Sequence, residues 1–282
     1  MTDDSVTYIE EIEAWRRKVD ASLRREEGWL ALVGLHWLKP GVNRAGAGPG
    51  RDIALPAESV TGDFGAFLVE QGRVLFEAAP GADVTCEGEP VTEVEMQPDT
   101  TGSPTRLRAG SLSMVLVRRG ERLGIRVWDR EAPARRTFIG RQWFPIDVRY
   151  RVTAGFEPYA TPRPILAPDF SGGVQTMESP GEVTFSLLRK QLRLVASEEE
   201  EGALFLIFAD ATAGASTYPA GRYLYTSPST GGAVEIDFNR AYNPPCAFTP
   251  YATCPLPPPE NRLPLAIEAG ELHVSGSQAQ DS

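Results

Sequence analysis

After residue 30, this chain consists almost entirely of short apolar or alternating runs that are separated by glycine-containing turns. Candidate strands occupy residues 73–78, 112–118, 123–128, 148–152, 183–188, 192–196, 204–208, 223–225 and 234–238. Alternation with a period of two places successive side chains on opposite faces of a sheet. Gly120 lies in a tight turn between two neighbouring runs, which predicts a β-hairpin. Because no later run shows sustained helical periodicity, we predict a sandwich or barrel and not an α/β fold.

The first element is predicted to be an amphipathic helix. Apolar residues recur at spacings of three and four, at Val6, Ile9, Ile12, Trp15, Val19 and Leu23. This spacing lines one face of a helix, and charged residues fill the other. Gly28 is expected to end the helix. The predicted fold class is therefore all-β, mainly an antiparallel sandwich or barrel, with one N-terminal amphipathic helix.

The segment 234–262, VEIDFNRAYNPPCAFTPYATCPLPPPENR, contains many prolines after its opening strand. Proline lacks a backbone donor and restricts φ, so most of this segment is expected to form neither a helix nor an inner strand. Ordered irregular segments of this length usually build functional surfaces. We therefore predict a site here. Its candidate residues are Asp237, Asn239, Arg240, Tyr242, Asn243, Cys246 and Cys254.

A second polar cluster lies at 208–223, between two candidate strands. Its candidate ligand-binding or catalytic residues are Asp210, Thr217, Tyr218 and Arg222. Arg222 can hold a carboxylate or a phosphate through two parallel hydrogen bonds. If the proline-rich segment folds back over the strand ends, both clusters surround one cavity, and Arg222 lies within salt-bridge reach of Asp210 or Asp237. In the alternative interpretation the short polar side chains only cap turns.

Three interpretations of Cys246 stay open. A nucleophilic cysteine needs a base, a cation or a helix N-terminus that lowers its pKa, and His36, Arg222 and Arg240 are the possible partners. Asp210 and Asp237 are the other catalytic candidates. Cys246 and Cys254 can also be small buried apolar side chains, or a disulfide or redox pair. Cys86 is interpreted as structural.

The number of histidines, the cysteine spacing and the motifs of this sequence argue against several common kinds of metal and catalytic site. His36 and His273 are the two histidines of the chain, so a three-histidine metal site cannot form within it. Cys246 and Cys254 are not the closely spaced pair that zinc usually takes. The phosphate-binding glycine loop and the G-x-S-x-G elbow do not occur. We predict no metal site, although carboxylates that suit magnesium or calcium are plentiful. The sequence identifies no particular cofactor, and whether one is bound stays open.

The charge balance argues against nucleic-acid and membrane partners. The formal net charge is −10, and an acidic protein has little non-specific affinity for nucleic acid or acidic lipid. Arginines concentrate between residues 118 and 151, but arginine is the main base throughout the chain, so a solvated strand face explains them. The apolar runs are too short to span a membrane. The acidic first residues lack a secretory pattern, which predicts a cytoplasmic protein.

The stretch 155–173 is rich in proline and glycine and indicates a domain boundary. With this boundary the chain has a helix at 1–28, a β-sandwich at 29–154, and an antiparallel β region carrying the site at 155–282. The same stretch is equally consistent with a long crossover inside one continuous β domain.

Four strings resemble an uncharacterised bacterial family, the domain of unknown function 1684. They are GLHWLKPGVN (34–43), RLGIRVWD (122–129), FADATAGASTYPAGRYL (208–224) and DFNRAYNPPCAFTPYATCPLPPPENR (237–262). The strings are spread over most of the length of the chain, from residue 34 to residue 262. The resemblance implies no established activity.

The first half also resembles forkhead-associated domains, which are β-sandwiches that bind phosphothreonine peptides. The order of the runs 41–46, 52–56, 72–78, 86–91 and 107–117 is similar to the strand order of that family. Its serine–arginine-x-x-histidine ligand motif is replaced here by ESVTGD at 58–63, without arginine or histidine. The resemblance implies a degenerate sandwich, and we expect no phosphopeptide binding.

These observations lead to one expectation of function and two alternatives. We expect the C-terminal β region to bind, with or without turnover, a small polar or anionic metabolite. The first alternative is a cysteine- or carboxylate-dependent hydrolase or transferase, which would show a perturbed nucleophile or carboxylate in a deep pocket. The second is a protein-interaction module that acts through the sandwich, which would show an exposed apolar patch.

Overall fold

The computed structural model describes residues 3–60, 62–198 and 202–273. The chain divides into two compact units. The barrel unit comprises Met1–Ala21 with Ile139–Ser282, and the sandwich unit comprises Ser22–Phe138. Both units are built mainly from antiparallel strands, and two α-helices occur among the described residues. This confirms the predicted fold class.

The first helix, α1 (Asp3–Leu23), begins and ends close to the predicted bounds. Within the barrel unit it buries Tyr8 and Ile12, and Trp15 is half-buried. Val6 was predicted for the apolar face but is 42% exposed. Tyr8 lies one turn before Ile12 and takes this place on the buried face, because residues four apart lie on the same side of a helix.

The sandwich unit contains two sheets. In chain order its elements are β1 (Leu32–Trp37), β2 (Gly41–Gly46), β3 (Ile53–Ala54), β4 (Asp63–Glu70), β5 (Arg73–Ala78), β6 (Thr85–Cys86), β7 (Glu89–Pro90), β8 (Glu93–Glu95), β9 (Arg106–Ala109), β10 (Leu112–Arg119), β11 (Arg122–Asp129) and the short helix α2 (Pro133–Thr137). One sheet has the order β1-β11-β10-β9-β6-β7, and the other has the order β3-β2-β4-β5-β8. Their inner faces share one apolar core.

Strand β4 carries a bulge that changes which side chains face this core. Its pairing with β2 shifts between Ala45 and Gly46, and Gly65 has φ of 153°. Because of the extra residue, Phe64 and Phe67 are both buried although they are three positions apart. Both rings pack on Phe76, with centroids 5.3 and 4.9 Å away. Simple alternation could therefore not identify this strand.

The barrel unit contains one sheet that curls until it is nearly closed. Its strands are β12 (Arg151–Pro168), β13 (Val174–Leu187), β14 (Lys190–Glu198), β15 (Ala203–Phe208), β16 (Arg222–Pro228) and β17 (Ala233–Asp237). The sheet order is β16-β15-β14-β13-β12-β17. The two end strands approach each other, and Glu235 N donates to Ser227 Oγ at 2.9 Å. Alternate residues of β13, β14 and β15 point inward and form the core.

The proline- and glycine-rich stretch 155–173 is neither a linker nor a crossover. It forms most of β12 and its turn into β13, and the register shifts between Pro158 and Arg163. β12 pairs with β17 only as far as Gly155. Beyond Gly155, β17 therefore does not hydrogen-bond to β12. Proline is tolerated in this part of β12, because a residue without a backbone N–H fits at the edge of a sheet. A division after residue 154 would fall within β12.

Most of the candidate strands that were strongly apolar are present. The predicted run 73–78 matches β5, and the runs at 112–118, 123–128, 183–188, 192–196 and 204–208 lie almost entirely within β10, β11, β13, β14 and β15. The predicted strand 148–152 is mainly a 3-10 turn (Val148–Tyr150) that precedes β12. The predicted strand 234–238 lies in β17 except for Phe238, which begins a second 3-10 turn (Phe238–Arg240). Among the described residues, no helix has the length and apolar character that crossing a bilayer requires.

Candidate functional site

The predicted cluster around Arg222 is a buried ion pair. Arg222 at the start of β16 donates from Nη2 to Asp210, and its side chain is 2% exposed. It also donates to the backbone carbonyls of Ile267, at 3.0 Å, and Ala269. Burial lowers the pKa of Arg222, and the neighbouring Asp210 carboxylate opposes this effect. The guanidinium is thus bonded within the protein on several sides.

Asp210 and Thr217 belong to the turn that connects β15 with β16. The Asp210 carboxylate accepts from Thr212 N at 2.7 Å and from the Thr212 hydroxyl. The hydroxyls of Thr212 and Thr217 lie 2.8 Å apart. These bonds are those of turn-capping side chains, the alternative that the sequence left open. The same carboxylate therefore caps the turn and pairs with Arg222.

A second buried network surrounds Asp237 at the end of β17. The Tyr8 hydroxyl of α1 lies 3.0 Å from both carboxylate oxygens of Asp237. Asn239 donates from Nδ2 to Tyr8 and Asp237, both at 3.0 Å, while Arg240 lies 3.7 Å from Asp237. Burial and the Asp237 charge raise the pKa of Tyr8, so its hydroxyl stays protonated at neutral pH. This network attaches α1 to the end of the barrel.

A third network contains residues that the sequence did not identify. Glu271 is 2% exposed, pairs with Arg141, and accepts from Asn243 N at 2.7 Å. The guanidinium carbon of Arg141 lies 4.8 Å from the Phe248 ring centre and 5.7 Å from that of Tyr242. Burial raises the pKa of Glu271 to about 7, and the Arg141 charge opposes this. Nothing in the local sequence around Glu271 signals these distant partners.

The segment 267–271 connects two of these networks. Its carbonyls at Ile267 and Ala269 bind Arg222, while Glu271 N donates to Ala241 O at 2.8 Å. Gly270 has φ of 82°, and a Cβ there would lie 2.5 Å from Ala241 O. The backbone can pass this close only because residue 270 is glycine. The two clusters predicted to surround one cavity are thus bridged by protein backbone.

Cys246 lies with Cys254 and two tyrosines in a further cluster. Cys246 N donates to Cys254 Sγ at 3.2 Å. The Tyr218 hydroxyl donates to Cys246 O at 2.9 Å, and the Tyr223 hydroxyl donates to Pro255 O at 2.8 Å. Tyr242 pairs through its backbone with Tyr223. The three catalytic candidates Cys246, Asp210 and Asp237 therefore have different hydrogen-bond partners.

A groove of about 430 Å³ lies elsewhere on the barrel unit. One wall is the distal part of the β12–β13 hairpin and the adjoining face of β14, and the other is the proline-rich stretch 258–260. Its charged and aromatic lining comprises Tyr159, Arg163, Glu182, Arg193 and Glu260. None of the residues predicted for the site lines this groove.

Two arginines are the basic residues of the groove lining. Arg163 lies over the Tyr159 ring, with its guanidinium carbon 4.1 Å from the ring centre. Among the described residues it forms no ion pair. Arg193 uses Nε to pair with Glu182 at 2.9 Å, and its side chain remains 63% exposed. This ion pair uses Nε, which is one of the three guanidinium nitrogens of Arg193.

The fold and these clusters define an all-β protein with a barrel unit whose irregular segment is held by buried polar networks. Residues 136–272 match the model of a family described as "Protein of unknown function (DUF1684)". The chain is therefore a member of this family, as the sequence strings predicted. Two of the four strings, at 34–43 and 122–129, lie outside the matched residues.

Part of the chain is also similar in sequence to a protein of solved structure. The solution NMR structure of an uncharacterised protein from Haloarcula marismortui is 32% identical. The comparison covers 49% of this chain and 79% of that chain, with a TM-score of 0.42. The search among curated proteins gave no match.

Proposed function

We propose that the barrel unit binds a small anionic molecule in the groove beside Arg163 and Arg193. The observation that carries this proposal is an open groove of about 430 Å³ with an exposed arginine on each of two strands. The volume lies in the usual range for small-molecule sites. Guanidinium groups bind carboxylates and phosphates through paired hydrogen bonds. This places the expected anion site apart from Arg222, whose described contacts are internal.

Binding without turnover is the form of the function that this groove favours. Its lining contains carboxylates, a phenol and a serine, but no cysteine or histidine. Glu182 is paired with Arg193 and is not held as a general base toward the groove. A small organic anion, and not nucleic acid, is the partner that suits a groove of this size on an acidic protein. A reducing, cytoplasmic location belongs to the same proposal, since the three cysteines are free thiols.

The proposal is tested by ligand-induced thermal stabilisation with citrate, inorganic phosphate and benzoate as probes. At least one probe should raise the melting temperature of the native protein, because a ligand that binds only the folded state stabilises it. The Arg163→Ala/Arg193→Ala variant should lose this shift. The exposed Arg262→Ala is the matched control and should keep it. Equal shifts in all three proteins would contradict the proposal.

The sandwich unit enters the proposal only as a degenerate forkhead-associated-like scaffold. In the turn that matches the phosphopeptide-binding motif, the Ser59 hydroxyl donates to Asp129 at 3.1 Å and accepts from Ser111 at 2.9 Å. Thr61 lies outside the described residues. A serine engaged in this way supports a structural role for the turn.

A further inference from the structure

The cysteines of the proline-rich segment form a buried dithiol. Cys246 lies in the 3-10 turn Pro245–Ala247, and its backbone N–H donates to Cys254 Sγ at 3.2 Å. Cys246 is 7% exposed and Cys254 is 4% exposed. The backbone of Cys246 therefore contacts the Cys254 sulfur in a buried place of the folded protein.

The backbone on both sides of the pair is held in place. The carbonyl of Cys246 accepts from the Tyr218 hydroxyl at 2.9 Å, and the carbonyl of Cys254 accepts from Phe170 N at 2.9 Å. The Cys246 N–H already contacts the Cys254 sulfur, so the fold has brought together the two residues that the bond would join. The two cysteines are also close in sequence, so the bond would close a short loop that contains no strand.

We propose that Cys246 and Cys254 are a reversible modification site, at which a small hydroperoxide converts the dithiol into an intramolecular disulfide. The two buried, adjacent thiols restrict this chemistry to small neutral oxidants. A larger thiol reagent would need the segment to open first. The proposal is independent of the groove, which contains neither cysteine.

The two thiols have different roles in this reaction. The hydrogen bond from Cys254 lowers the pKa of Cys246, whereas the same bond and burial raise the pKa of Cys254. The thiolate is the reactive form of cysteine, so Cys246 attacks first. The Tyr218 hydroxyl, which donates to the Cys246 carbonyl, also lowers the pKa of Cys246. Burial raises the pKa of this hydroxyl and keeps it protonated.

The proposed reaction has two steps. The Cys246 thiolate attacks one peroxide oxygen, the O–O bond breaks, and the leaving hydroxide or alkoxide takes a proton to become water or an alcohol. Cys246 is then a sulfenic acid. Cys254 attacks the Cys246 sulfur, the S–S bond forms, and the sulfenic oxygen leaves as water with the Cys254 proton. The dithiol has lost two electrons, and the peroxide has gained them.

Mass spectrometry of the intact, fully reduced protein after treatment with hydrogen peroxide tests the proposal. The native protein should lose the mass of two hydrogen atoms, peptide mapping should locate a Cys246–Cys254 bond, and a thiol reductant should reverse the change. Cys86→Ser is the matched control, because Cys86 lies in the other unit, and it should behave like the native protein.

Two further variants separate the steps. Cys254→Ser should stop at the sulfenic acid, which adds the mass of one oxygen atom at Cys246. Cys246→Ser should oxidise at least about tenfold more slowly, because this variant lacks the thiol that attacks first. An unchanged mass of the native protein, preferential oxidation of Cys86, or a disulfide between two chains would overturn the proposal. The mass loss and the mapped Cys246–Cys254 bond are measured on the native protein. They therefore test the proposal even if a variant fails to fold.

Discussion

At the level of single residues, buried charges in the barrel unit are held by several partners each. Arg222 has the Asp210 carboxylate and two backbone carbonyls, and Glu271 has Arg141 and the N–H of Asn243. A charge removed from water costs several kcal/mol unless its partners replace the lost hydration. These residues therefore specify how the irregular segments lie on the barrel.

The first prediction concerns Arg222. Arg222→Ala should lower the free energy of unfolding by about 3–5 kcal/mol, because Asp210 would stay buried without its cation. Denaturation by urea measures this directly. The exposed Arg262→Ala is the control and should change the free energy by less than about 0.5 kcal/mol. A similarly small effect of Arg222→Ala would contradict a structural role.

The second prediction concerns Glu271 and pH. Its pKa rises from 4.5 to about 7 in the folded protein. Between these values the unfolded state loses the proton while the folded state keeps it, so this group lowers stability as the pH rises. Above about pH 7 its effect is constant.

Glu271→Gln tests this directly. The unfolding free energy of the native protein minus that of the variant should fall as the pH increases from 4.5 to 7 and stay level at higher pH. The exposed Glu268→Gln serves as the control and should give a nearly flat difference. A difference that increases with pH in this window would show that the ion pair with Arg141 outweighs burial.

The contact between Arg222 and Asp210 could be predicted from the sequence, whereas Glu271 could not. Arg222 and Asp210 flank the same connection between two apolar strands, so hairpin geometry brings them together. Glu271 meets Arg141 across 130 positions of sequence. A local sequence pattern cannot predict a contact between residues so far apart in the chain. The groove arginines were missed for a similar reason, because an alternating strand does not reveal which exposed side chains face a concave surface.

At the level of elements, strands with clean periodicity could be predicted and strands with a bulge or prolines could not. β5 follows simple alternation, and its predicted and observed bounds agree. β4 is shifted by its bulge, and the distal part of β12 contains prolines that are tolerated because β17 does not extend beside them. The two-residue strands are too short to show any period.

The third prediction tests the bulge in β4. A Cβ at Gly65 would lie 2.3 Å from Glu77 O, and the φ of 153° also disfavours a side chain. Gly65→Ala should lower the free energy of unfolding by about 1–3 kcal/mol, and therefore also the melting temperature. Gly155→Ala is the control, since its nearest contact is an ordinary 3.5 Å. Equal melting temperatures for the two variants would argue against a strained bulge.

The fourth prediction concerns the turn around Ser59. This turn lacks the arginine and histidine that forkhead-associated domains use, and Ser59 bonds within the sandwich. We expect no difference between phosphothreonine peptides and their unphosphorylated counterparts in a peptide-array assay. Micromolar binding that requires the phosphate would contradict this, because it would need charge-assisted contacts that the turn does not offer.

At the level of the whole molecule, each unit has its own apolar core, and α1 contributes to the unit that is most distant in sequence. The Tyr8 hydroxyl meets Asp237 across 229 positions. Proline- and glycine-rich stretches mark boundaries along the sequence but do not show which distant segments pack together. The helix was therefore predicted as a separate part of the chain. The groove is formed by a hairpin, a neighbouring strand and a proline-rich stretch from the C-terminal part of the same unit.

Native mass spectrometry of the purified protein tests the proposed anion site most directly. We expect a co-purifying small anion on the native protein and on the Arg262→Ala control, and its loss from the Arg163→Ala/Arg193→Ala variant. Retention of the same molecule by the double variant, or its loss from the control, would contradict a binding site in the groove.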